Sequence, residues 1–127
     1  MRTAGVIARY LLGLTFTVFG LNGFLQFIHQ PPPTNPMALQ FLIASTTSHF
    51  SAFFFAVQLA AGLLLLSGYF VSLALILLAA EIYNILAFHL TMAQTTIAPG
   101  LLAAVLWVIV FVQYRQSFTE VLSAKPV

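Results

Sequence analysis

The chain is organised by long apolar runs broken at a few points. Four runs, at about residues 6–28, 52–68, 70–90 and 98–115, approach the ~20 residues a bilayer-spanning helix needs. "LSGYF" (Leu66 to Phe70) offers only Ser67 and Gly68 as a turn between the second and third runs, which predicts a tight antiparallel hairpin. "HQPPPTNP" (His29 to Pro36) is the clear breaker, because three consecutive prolines cannot continue a helix and favour an extended path. "MALQFLIASTTSHF" (Met37 to Phe50) is apolar but too short to span, and reads as an interfacial or re-entrant helix. The prediction is an all-α single membrane domain over residues 1–127: an integral membrane four-helix bundle with a short interfacial or re-entrant helix between helices one and two. Arg2 and Arg9 ahead of the first run could open a signal peptide, but no A-x-A-like cleavage site follows, so the run reads as a retained helix.

Composition agrees with this pattern. Hydrophobic residues make up 61% of the chain and charged residues 5%, too few polar groups to cover a soluble domain of this size. The expected environment is therefore the lipid bilayer. A net charge of +2 gives no reason to expect nucleic acid as a partner, and the absence of cysteine removes disulfides and thiolate chemistry. Arg2 and Arg9 precede the first span while Arg115 and Lys125 follow the fourth; the 29–51 and 91–97 connections carry no Lys or Arg. By the positive-inside rule both termini are cytoplasmic, and the multi-pass protein lies in the cell inner membrane with the 29–51 linker outside. Tyr10, Tyr69, Phe70 and Tyr114 fall at the inner boundary, where amphipathic rings are favourable.

The polar residues within the spans are the candidates for chemistry. Asn22, Gln26 and His29 have i, i+4, i+7 spacing and so form one stripe rising toward the outer surface, with Thr15 continuing it inward. Gln58 lies about two turns below the outer boundary, Glu81 near mid-membrane, Asn84 one turn closer to the outside, and His89 near the outer end. An ionised carboxylate facing lipid costs about 2.5 kcal/mol or more, so Glu81 is expected to face the interior, protonated or bonded to an amide. The predicted site is one outward-opening pocket, with Glu81 as the proton-exchanging acid and Asn22, Gln26, Gln58, Asn84 and His89 as ligand-binding residues. The amides are equally the kind of group that joins membrane helices by hydrogen bonds. His29, His49 and His89 could share the outer layer, but no His-x-x-x-His or Glu-x-x-His spacing points to a metal, and none is predicted. Gly13 and Gly20 lie opposite the Asn22 stripe and suit close helix packing, within the bundle or across a homo-oligomer.

"ARYLLGLTFTVFGLNGFLQFI" (Ala8 to Ile28) and "AAGLLLLSGYFVSLALILLAAEIYNILAFHL" (Ala60 to Leu90) together resemble the DoxX and DoxX-like family of small four-helix membrane proteins. The most telling pieces are Gly20-Leu-Asn22-Gly23, "GLLLLSG" from Gly62 to Gly68, and Asn84 through "FHL" (Phe88 to Leu90). The resemblance implies a four-helix bundle and an association with redox chemistry, since the family takes its name from a thiosulfate:quinone oxidoreductase and some members join thiol-oxidoreductase complexes. In that family the position near Gln58 is often Glu, and the position near Glu81 commonly Pro or apolar, so the pocket acid stands on the facing helix here. Two functions follow as expectations. One is a redox-associated module holding a quinone or similar apolar carbonyl compound, with electrons supplied by the quinone itself or by a membrane or redox partner protein. The other is a non-catalytic structural or assembly subunit of a larger membrane complex.

Overall fold

The computed structural model describes residues 2–125. Its elements are five α-helices, α1 (Arg2–Leu25), α2 (Pro36–Thr47), α3 (Phe50–Ser67), α4 (Val71–Met92) and α5 (Ala98–Gln113), with two short 3-10 turns at Gln94–Thr96 and Arg115–Phe118. Helices α1, α3 and α4 are long and apolar enough to cross a membrane, while α5 is a shorter apolar helix of 16 residues.

Helix α1 packs along α3 and α5, α3 packs on α4, and α4 packs on α5. Helices α1, α3, α4 and α5 therefore close a ring, with Leu12, Leu65, Leu75, Leu78 and Val110 fully buried inside it. The antiparallel α1–α3 contact is the tightest. A Cβ placed on Gly62 would lie 2.6 Å from both the backbone nitrogen and the hydroxyl of Thr17, and one on Gly20 would lie 2.7 Å from the backbone nitrogen of Leu59. Glycine at these positions lets two backbones touch, which gathers many small dispersion contacts along the whole interface. Gly13 also faces α3, against Leu65 and Gly62, so this glycine stripe is spent inside the molecule. On the other side of the ring, Trp107 of α5 donates its indole N–H to the carbonyl of Leu75 on α4 at 2.8 Å. Trp107 stacks on Phe111, which in turn packs on the buried Phe118 of the C-terminal turn.

Several boundaries differ from the sequence reading, each for a local reason. Helix α1 ends at Leu25 rather than near 28, because the Asn22 side chain takes the N–H of Ile28 at 2.7 Å and Gln26 turns into the left-handed region at φ 51°. The predicted stripe Asn22–Gln26–His29 is thereby broken, since only Asn22 stays on the helix. The predicted hairpin turn forms with Gly68 at φ 79° and Phe70 at φ 55° between Ser67 and Val71. Asn35 starts α2, its side-chain Oδ1 accepting from the N–H groups of Met37 (2.8 Å) and Ala38 (3.4 Å), with Pro36 in the first turn where its missing N–H is harmless. Helix α2 rests on α3 and α4, burying only Ala38.

Arg9 departs most from expectation. Sequence placed it ahead of the first span as a topology signal, but it lies within α1, 8% exposed, and its guanidinium donates to the carbonyl of Leu65 at 2.6 Å. That carbonyl belongs to the last turn of α3, where a cation is favoured by the free carbonyls and the helix dipole.

Candidate functional site

Antiparallel packing of α3 and α4 about the Gly68 turn sets residue 58 level with residue 81. Gln58 and Glu81 are both buried, 4% and 6% exposed, and the Gln58 side chain approaches the Glu81 carboxyl. One carboxyl oxygen, Oε2, is buried with no hydrogen-bond partner. Glu81 shares its buried face with Leu78 and Ile82, whose surroundings are apolar, so this oxygen sees little that can replace water. A buried polar atom left unpaired in this way calls for an explanation, because nearly all such atoms in folded proteins are hydrogen-bonded. A neutral carboxyl with one face against a carboxamide and the other free can donate its O–H to a carbonyl oxygen or return the proton to an oxyanion.

The structure brings together two of the predicted site residues and places the others apart. Asn22 is half-buried at the end of α1, with its carbonyl oxygen bonded to Ile28 N and its amide donating to Ile28 O at 3.4 Å. Gln26 is exposed beyond the helix end. Asn84 is exposed on α4 and donates to the carbonyl of Ala80 in its own helix at 2.8 Å. His89 is half-buried, its Nδ1 lies 2.7 Å from Ile85 O of the same helix, and its ring meets Phe88 edge-on. Their shared helical neighbourhood suggested convergence. Helix rotation separates Asn84 from Glu81, because a step of three residues turns the side chain by about 60° from full register, enough to carry Asn84 from the interior to the rim. His29 and His49 are exposed, and among the described residues no three His, Asp or Glu side chains gather as a metal would require.

Two interior polar groups were not predicted as part of any site. Arg9 Nε and the hydroxyl of Thr17 are buried without partners, both on α1 facing α3. The signal for Arg9 was available, since Gly5, Arg9, Gly13, Phe16 and Gly20 follow one helical face at steps of three and four. Two concave depressions of the surface lie around α2, one against Phe41, Ser45 and Phe50 and one against Pro32, Leu39 and Ile43; neither includes Glu81. No protein-family model matches the chain, and neither a curated protein nor a solved structure matches it at a significant level.

Proposed function

We propose that the chain is an integral protein of the cell inner membrane, in which α1, α3, α4 and α5 form a four-span bundle with both termini cytoplasmic, and that its Gln58–Glu81 pair holds a quinone or similar apolar carbonyl compound entering from the lipid. The observation that carries this reading is the buried, unpartnered Oε2 of Glu81 beside Gln58. Gln58 orients the carboxyl, and Glu81 presents its free oxygen to the ligand's carbonyl and exchanges a proton with it. The protein acts as a binding and proton-handling module, with electrons carried by the ligand or delivered by a partner protein. The resemblance to DoxX-like proteins supports the same architecture and the same redox association, and membership of that family is part of the proposal.

The test is solvent extraction and mass spectrometry of the detergent-purified protein, wild type beside Glu81→Gln and Glu81→Leu. A quinone at near-stoichiometric amount in the wild type, reduced several-fold in Glu81→Leu, is the expected result. Equal occupancy in all three proteins overturns the assignment of Glu81.

A second reading, a structural or assembly subunit, is favoured by a different observation. The polar side chains of Thr15, Asn22, Asn84 and Thr91 bond to backbone carbonyls or amides of their own helix or its end, rather than to one another. A wild-type protein carrying only phospholipid, with Glu81→Leu at least as stable as the wild type, selects this reading over the first.

A further inference from the structure

The outward face of α4 carries a pattern that the Gln58–Glu81 site does not use. Leu73, Ala80, Asn84, Ala87 and Thr91 are all exposed, and they follow one another at steps of seven, four, three and four residues. That is the period of a seam between two helices packed at a shallow left-handed crossing. Tyr83, 74% exposed, lies beside it. Asn84 stands exposed on this seam, within three residues of the midpoint of Val71–Met92. Its amide nitrogen donates to Ala80 O, and among the described residues its carbonyl oxygen accepts nothing. In water such an oxygen is solvated at no cost. In the middle of a hydrocarbon layer it is not, and a lipid chain offers it no donor.

We propose that this face of α4 is the contact surface for a second copy of this chain, packed in a parallel two-fold pair with Asn84 opposite Asn84. The inference rests on the reading that α4 crosses the bilayer. A second copy inserted with the same topology necessarily presents its own α4 at the same depth and in the same direction. A carboxamide is donor and acceptor at once, so a two-fold axis lets each Nδ2 meet the other copy's Oδ1, and both free groups are satisfied by one symmetric contact. Ala80 and Ala87, one turn to either side, keep the backbones close enough for that exchange. The intramolecular neighbours leave the seam open: α3 and α5 pack on other faces of α4, and α2 reaches it through Phe41 on Phe88. The exposed face of α5 offers a contrast. Leu101, Val105 and Val108 are purely apolar and have no comparable demand.

The chain has no cysteine, so single cysteines report contacts without background. Protein carrying Ala87→Cys, Ala80→Cys or, as control, Val105→Cys is reconstituted in phosphatidylcholine vesicles at low protein-to-lipid ratio and oxidised. Resistance to alkaline carbonate extraction is checked first: a protein released by carbonate fails the bilayer reading and this proposal with it. In an integrated protein, disulfide-linked dimers at residues 80 and 87 but not 105 are expected. Equal cross-linking at 105 shows random collision and overturns the proposal. So does a monomer at all three positions, or cross-linking only to a different co-purifying protein. Asn84→Leu is expected to raise the dimer dissociation constant about three- to twenty-fold, the span of a typical intramembrane hydrogen bond, while Asn84→Gln restores part of the loss. Circular dichroism and monodispersity confirm that each variant is folded, and an unchanged dissociation constant in a folded Asn84→Leu also overturns the proposal.

Discussion

Gly62 determines how near α1 can come to α3. A methyl at this position meets the backbone nitrogen of Thr17 at 2.6 Å and the backbone oxygen of Gly13 at 2.9 Å, and neither can rotate away as a side-chain end would. Gly62→Ala is therefore expected to destabilise the protein by about 1–3 kcal/mol, read from the midpoint of an unfolding titration in mixed micelles. Leu63→Ala, next to it but exposed, is expected to shift the same midpoint by about 0.5 kcal/mol or less. An equal shift in both would mean that the interface does not depend on this close approach. At the same scale, Glu81 is the residue whose interior position was most legible from sequence, because the cost of facing lipid decides its side of the helix before any packing is known. The carboxamides were less legible. Asn22 bonds through both side-chain atoms to backbone past its helix end, and Asn84 donates to backbone one turn back, and nothing in their spacing distinguishes that outcome from convergence on a pocket.

Helix existence was readable because the apolar runs are long, whereas helix ends were set by single side chains. Asn22 and Gln26 stop α1 three residues early, and Arg9, which looked like a flanking charge, sits inside the helix because its guanidinium reaches the last turn of α3. Helix α2 was expected from its apolar run between residues 37 and 50, and its true start depends on Asn35. Asn35→Ala removes the acceptor for Met37 N and Ala38 N and is expected to cost about 1 kcal/mol. Because α2 buries little against the rest of the molecule, that loss falls on α2 itself. Faster amide hydrogen exchange over 37–47, with α1 and α3 unchanged, is the expected signature, and Asn35→Asp is expected to retain protection. No change in exchange would show that the proline-rich approach to α2 suffices to hold it.

For the whole molecule, the ring of α1, α3, α4 and α5 together with the charge pattern yields a topology that can be tested directly. With single cysteines in the cysteine-free chain, Thr34→Cys and Gln94→Cys are expected to react with an impermeant maleimide from outside intact cells, and Gln116→Cys only after permeabilisation. The reverse pattern would invert the proposed orientation and place Arg9 at the outer end. Ring closure itself has one built-in reporter. Trp107 is the single tryptophan, its indole N–H held by Leu75 O on α4 and its ring stacked between its own helix and the aromatic column that ends at Phe118. Its fluorescence therefore arises from one environment that exists only while the last helix is docked on α4 and the C-terminal turn is folded beneath it. Emission colour and anisotropy can follow the final step of assembly as the chain is diluted from denaturant into lipid, with no label attached.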